Sequence, residues 1–209
     1  MDYLQQLIER YPRLEPIKTE INTAFDIIAE SFTKGGKLLI AGNGGSAADA
    51  EHIVGELMKS FVKNRRLPES FVTGIESVDT EIARSLVPLL QPGLPAISLS
   101  GHASLNTAVI NDIDGAVIFA QQVYGYGREG DVFLGISTLG NAKDVLYAAA
   151  TAKAKKLKVI SLTGGTGGAL RRFADVSIMA PETETYKIQE LHLPIYHCLC
   201  LMLEEHFFD

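Results

Sequence analysis

Four side chains suited to proton transfer or metal binding fall at helical spacing in two segments far apart in the chain. His52 and Glu56 are four residues apart, which puts them on one face of a helix, about 40° apart around its axis. Gln189 and His197 are eight apart, about 80° around an ideal helix, with Pro194 between them to kink it. Gln189, His192 and His197 lie among Ile188, Leu191, Leu193, Ile195 and Leu199, and polar groups in an apolar stretch need partners. His192 reads as a satisfied or solvent-facing histidine, and the His52/Glu56 pair taken alone reads first as a surface helix pair. Together, His52, Glu56, Gln189 and His197 offer nitrogen and oxygen donors to a divalent metal. They equally offer an acid and a base, with Glu56 moving a carbon-bound proton and His197 serving oxygen. Shuttling a proton between C1 and C2 of a phosphosugar through an enediol needs that set and a phosphate anchor, and a metal would add Lewis acidity at the carbonyl.

Two loops have the chemistry of an anchor. Gly42-Asn43-Gly44-Gly45-Ser46 follows an apolar run and opens a helical stretch, where glycines let backbone N–H groups approach an anion and the helix end adds partial positive charge. Ser46 also reads as an ordinary N-cap. The loop fits neither GxGxxG nor GxxxxGK[ST], which weighs against dinucleotide and NTPase readings. Ser137-Thr138-Leu139-Gly140-Asn141 holds the same position one repeat later. Ser137, Thr138 and the N–H groups near Gly140 and Asn141 are placed to hold phosphate oxygens, against the alternative of plain turn chemistry.

The elements that must position these residues alternate strand and helix. Helical periodicity runs over residues 1–33, interrupted near Pro12 and Pro16. Short apolar runs at 37–41, 95–100, 131–136, 158–163 and 175–179 each precede a helical stretch, the predicted helices including 46–61, 141–155 and 186–207. Five such strands imply a doubly wound parallel sheet of flavodoxin-like order, an α/β domain with its ligand crevice at the carboxyl ends of the strands. Both loops then face one crevice. Residues 67–92 stand apart, and Ile82, Leu86, Leu89 and Leu90 suit one amphipathic helix acting as lid, subunit contact or ornament.

The net charge of −6, with acidic and basic residues interspersed, argues against a surface coated by nucleic acid. No apolar run approaches the roughly 20 residues of a membrane span, and the charged N-terminus lacks a signal-peptide core. The two cysteines, Cys198 and Cys200, would point about 200° apart on a helix. They read as small buried apolar residues in a reducing, cytoplasmic protein.

From about Ser31 to the C-terminus the chain resembles the phosphoheptose isomerase branch of the sugar isomerase (SIS) family. The resemblance is most specific in AGNGGSAADAEHIVGEL (41–57), GREGDVFLGISTLGN (127–141) and IQELHLPIYH (188–197). It implies a single SIS domain over 1–209, with 1–33 as a helical arm and 67–92 as an insertion. It implies interconversion of sedoheptulose 7-phosphate and D-glycero-D-manno-heptose 7-phosphate, in a homotetramer with sites between subunits. By the same resemblance His52, Glu56, Gln189 and His197 match zinc ligands, one Zn2+ per site, and Glu56 and His197 match the base and the acid. Asn43, Ser46, Ser137 and Thr138 match substrate or phosphate contacts, and Asp112 matches a further polar site residue. Leu139 and Ala142 stand where the family's phosphate loop usually has serines, and Tyr186 where the isomerases tend to have aspartate. Two relatives pose alternatives. A non-catalytic member binds the bacterial replication initiator and has a similar Cys-Leu-Cys end, but it lacks the residues matching Glu56 and His197. Sugar-phosphate sensors of the family usually carry a DNA-binding domain, for which this chain leaves no room.

Overall fold

The computed structural model describes residues 2–208. An N-terminal arm comes first: α1 (Tyr3–Arg10), a 3-10 segment (Pro12–Ile17) carrying both prolines, then α2 (Lys18–Thr33). Asp2 accepts a hydrogen bond from Gln5 N at 2.8 Å and starts α1. Leu4, Leu7, Ile8, Leu14, Ile17, Ile21 and Ile28 bury the apolar stripe of the arm in the main core. The arm is therefore part of the domain's packing rather than an appendage.

The sheet contains β1 (Leu38–Ala41), β2 (Ala96–Ser98), β3 (Val132–Ile136), β4 (Lys158–Gly164) and β5 (Val176–Ala180). All neighbouring pairs are parallel, in the order β2-β1-β3-β4-β5. Every residue of β1 and β3 is buried, as expected of strands covered on both faces. One face packs on the arm, α3 (Gly45–Met58) and the C-terminal helix α9 (Thr185–Phe207). The other packs on α7 (Ile118–Tyr126) and α8 (Lys143–Ala154) through Phe119, Val123, Val145 and Ala148. The order reverses direction between β1 and β3, and there the two anchor loops emerge side by side.

Two expectations change. The helix predicted to run to Phe61 ends at Met58, because the N–H groups of Phe61, Val62 and Lys63 leave the helical path to bind the Glu204 carboxylate. The single amphipathic helix within 67–92 is two short ones, α4 (Glu69–Val78) and α5 (Thr80–Leu86). Asp79 breaks them apart by capping Glu81 N and Ile82 N, both at 2.9 Å. Ile82, Leu89 and Leu90 are exposed, and α4 buries no residue. The last helix, α9, runs for 23 residues with Pro194 inside it, in agreement with the predicted helix at 186–207. No helix among the described residues is long and apolar enough to cross a membrane.

Candidate active site

Helices α3 and α9 lie side by side and set the site. Gly45 of α3 faces Gln189 of α9 at one end of their seam, and His52 faces His197 further along. Seven residues separate Gly45 from His52, about 10 Å of helix rise.

At the glycine end, a cavity of about 370 Å³ is lined by Asn43, Gly44, Gly45, Ser46, Ile136, Ser137, Thr138, Ala142, Thr185 and Gln189. Three helices begin at this cavity, α3 at Gly45, α8 at Lys143 and α9 at Thr185, and each contributes unpaired N–H groups and partial positive charge. Gly44 caps α3 with φ of +56°, a left-handed backbone that an L side chain resists. Ser46 is therefore not the N-cap. It sits inside the first turn, buried, with its N–H bonded to Asn43 O at 3.0 Å. Gly140, φ +68°, lets the second loop press on a third: a Cβ there would stand 2.0 Å from Gly167 O. Asn141 locks the same junction, donating to Leu139 O at 3.0 Å and accepting from Ala169 N at 3.0 Å. Its carboxamide shapes the loop and is not among the cavity's lining residues.

The Asn43 amide is also engaged, donating to both Asp144 carboxylate oxygens at 3.0 and 2.9 Å. Nothing in the spacing of the sequence singled out Asp144, one residue inside α8, as its partner.

At the other end, His52 Nε2 stands 3.1 Å from Glu56 Oε1 and 3.4 Å from His197 Nε2. The two imidazoles meet edge to face with centroids 4.9 Å apart. Glu56 Oε2 accepts from Lys59 Nζ at 2.8 Å. Burial lowers the pKa of His197, and neighbouring His52 lowers it further, with Glu56 partly opposing. A neutral imidazole, able to take or return a proton, is the consequence. His197 also lines a cavity of about 170 Å³ with Tyr3, Arg10 and Tyr11, so the arm walls this end.

The main chain of Glu56 is held from behind. Arg65, fully buried, donates to Glu56 O at 2.9 Å, to Leu57 O at 2.6 Å and, through Nε, to Glu204 Oε1 at 2.9 Å. In the sequence Arg65 belongs to a basic turn with Lys63 and Arg66, just ahead of residues 67–92.

Gln189 is placed with the anchor loops rather than with the imidazoles, its amide against Gly45. Eight residues along α9, about 12 Å of rise, separate it from His197. Asp112 ends α6 (Ala103–Asp112), exposed and accepting from Asn111 Nδ2 at 2.7 Å. This ten-residue helix starts near the strand ends and carries Asp112 about 15 Å away from them. Buried His192 lies close to Thr163 O, with Nε2 at 3.1 Å, and burial drops its pKa to about 4. Cys198 and Cys200 are free and buried.

The residues at the imidazole end fit Zn2+ as donors. A tetrahedral zinc with bonds of about 2.05 Å separates its ligands by about 3.3 Å, near both the His52–Glu56 and the His52–His197 spacings. Among the described residues no three His, Cys, Asp or Glu groups already form a metal cage, so these donors are adjacent rather than assembled.

A family model described as SIS domain matches residues 2–85 and 75–164. The phosphoheptose isomerase of Nitratiruptor sp. is 38% identical over 193 residues, 92% of this chain and 89% of that protein. That of Aneurinibacillus thermoaerophilus is 38% identical over 179 residues, 86% of this chain and 77% of that protein. The chain belongs to the SIS-domain family. Its similarity lies with the phosphoheptose isomerase branch in structure too. The phosphoheptose isomerase from Francisella tularensis superposes with a TM-score of 0.77 at 31% identity, covering 97% of this chain and 95% of that one. Within this SIS domain, sequence reasoning found both ends of the α3–α9 seam. It missed Thr185 in the anchor cavity, Asp144 behind Asn43 and Arg65 behind Glu56. Thr185 carried a signal, since it directly precedes the last predicted helix (186–207), after the carboxyl end of a strand. The other two are long-range contacts without a local signature.

Proposed function

We propose that this chain is an aldose–ketose isomerase of sugar phosphates, with sedoheptulose 7-phosphate as substrate and D-glycero-D-manno-heptose 7-phosphate as product. The observation that carries the reading is the layout of the α3–α9 seam: an anion cavity at one end, and a carboxylate with two imidazoles about 10 Å further along. An extended seven-carbon sugar phosphate bridges that length, with its phosphate among the helix N-termini and C1–C2 beside Glu56. A triose phosphate does not reach. The relatives' name, phosphoheptose isomerase, agrees with that chain length.

In this reading Ser46, Ser137, Thr138 and the N–H groups at Gly44, Gly45 and Ala142 hold the phosphate, and Asn43 and Gln189 hydrogen-bond the sugar chain. Glu56 takes the proton from C1, and the C1–H electrons form the C1=C2 bond of the enediol as the C2=O π pair moves to O2; the O1–H electrons then form the C1=O bond while the C1=C2 pair takes the proton back from the same carboxyl at C2. His197 moves the hydroxyl proton between O1 and O2. His52, Glu56 and His197 would hold a Zn2+ ion, and Gln189 would join them only by swinging away from Gly45. What bound zinc would supply is polarisation of the C2 carbonyl. Asp112 would reach a site only from a neighbouring copy, which fits a homotetramer with sites between subunits. A cytoplasmic location goes with the unpaired, buried cysteines.

The test is proton NMR of sedoheptulose 7-phosphate, fructose 6-phosphate and dihydroxyacetone phosphate with the protein, with and without Zn2+. Aldose product from the heptulose, with far slower turnover of the shorter ketoses, is the expected result. No aldose from any of them would overturn the reading.

A further inference from the structure

Asp144 stands behind Asn43 and has no part in the steps above. The Asn43 amide nitrogen lies 3.0 and 2.9 Å from the two Asp144 carboxylate oxygens. The contact ties the loop after β1 to the first turn of α8, which follows the loop after β3. Asp144 also accepts from the N–H of Val145 at 2.9 Å, and a carboxylate in the first turn of a helix is favoured by the helix dipole. Asn43 lines the anchor cavity, whereas Asp144 is not among the lining residues. Asn43 Oδ1 makes no hydrogen bond among the described residues.

This pairing decides which end of the carboxamide is left for a ligand. A carboxylate only accepts, so it holds the amide by its NH2 group. A protonated acid would pair differently, with one oxygen against Nδ2 and its O–H against Oδ1. Here both oxygens stand almost equally close to Nδ2, the arrangement of a carboxylate straddling an NH2 group. Turning the amide over would set Oδ1 against two acceptor oxygens. With Nδ2 drawn out of the cavity to Asp144, the side-chain atom that Asn43 offers a ligand is the acceptor Oδ1. An acceptor repels phosphate oxygens and takes the hydrogen of a hydroxyl. A carboxylate this close to an anion cavity also weakens phosphate binding by like charge, so phosphate affinity alone gives Asp144 no role.

The geometry points to Asp144 as a positioning residue: it holds Asn43 with Oδ1 towards the cavity, so that this wall reads a hydroxyl of the sugar chain beside the phosphate. The inference rests on the anchor cavity proposed above and deepens it, since it makes the preferred ligand a polyol phosphate as opposed to any alkyl phosphate.

The test needs no turnover. Calorimetry would compare a heptitol 7-phosphate, which has the hydroxyls but no carbonyl, with n-heptyl phosphate and inorganic phosphate. The wild type should prefer the heptitol phosphate to the heptyl phosphate. In Asp144→Asn, whose carboxamide can face either end of Asn43, that preference should narrow about 2- to 10-fold, the worth of one hydrogen bond. Inorganic phosphate should bind the variant as tightly as the wild type or more tightly, because a negative charge has gone. Asp144→Ala, which leaves Asn43 without its partner, should narrow the preference in the same way. An undiminished preference in both variants would overturn the proposal. So would an equal loss for all three ligands, which would reduce Asp144 to a support of the loops. A wild type that binds none of the three would overturn it together with the anchor cavity. The expected pattern in a protein that forms no aldose would uphold the positioning role and overturn the isomerase reading alone.

Discussion

The two ends of the α3–α9 seam are built on opposite principles. The anchor end is made of main chain: three helix N-termini, a left-handed Gly44 and loops packed backbone to backbone around Gly140. The imidazole end is made of single side chains, each with its own support: Arg65 behind the Glu56 carbonyl and Tyr196 behind His52. Recognition by backbone N–H groups survives many substitutions, because every residue except proline supplies the same donor. In the function proposed above, this is how the second loop carries Leu139 and Ala142 in place of hydroxyl side chains and still serves as an anchor, since Ser137, Thr138 and Ala142 line the cavity. At the other end the chemistry rests on individual side chains.

That contrast makes damage at the imidazole end a matter of rate, and damage at the anchor end a matter of affinity. His197→Asn should lower kcat by roughly 10²- to 10⁴-fold, the usual worth of a general acid–base group, with phosphosugar affinity nearly unchanged by calorimetry. An equal loss in affinity would mean that the two ends are not separable.

Arg65→Met should strand the buried Glu204 carboxylate. Burial alone would raise the Glu204 pKa, but the Phe61, Val62, Lys63 and Arg65 donors hold it below the usual range. Removing one partner of such a pair costs about 3–5 kcal/mol, measurable by urea unfolding. The surviving folded protein should lose kcat before affinity, because Arg65 holds the Glu56 end of α3.

A smaller effect comes from His192, which ties α9 to the end of β4 between the two halves of the site. Its folded pKa of about 4 lies below the ordinary 6.5, so the unfolded chain takes up the proton first. Its contribution is complete above about pH 6.5 and is lost as pH falls towards 4, at most about 3 kcal/mol. Urea unfolding at pH 7 and pH 4.5 should show a larger loss for the wild type than for His192→Asn.

The smallest effect belongs to Gly44→Ala. Forcing a Cβ into the left-handed region costs about 1–2 kcal/mol, expected as a several-fold weaker phosphosugar affinity with kcat little changed. A loss confined to kcat would reverse the assignment of the two ends.

The alternation of apolar runs and helical stretches was enough to read the sheet order, because parallel strands buried on both faces leave a continuous apolar signal. The two anchor loops were legible for a similar reason, being local sequence at predictable strand ends. Angular arithmetic on a helix was a weaker guide. It put Gln189 and His197 within 80° of one another, but it carries no depth, and the rise between them sends Gln189 to the anchor cavity. Asp79 shows how one capping side chain overrides an amphipathic pattern, splitting the predicted helix of 67–92. Arg65 with Glu204, and Tyr196 with His52, lie outside local reading altogether, since each pair is more than a hundred residues apart and meets only when α9 docks on α3.

The most direct test of the central claim is deuterium exchange into sedoheptulose 7-phosphate in heavy water, comparing wild type with Glu56→Gln, alongside calorimetric binding of the same sugar phosphate to both. The wild type should carry deuterium into C1 and C2 as aldose forms, while Glu56→Gln binds with similar affinity and exchanges nothing above background. Exchange retained in Glu56→Gln would contradict the account, because the carbon-bound proton would then be moving through some other group.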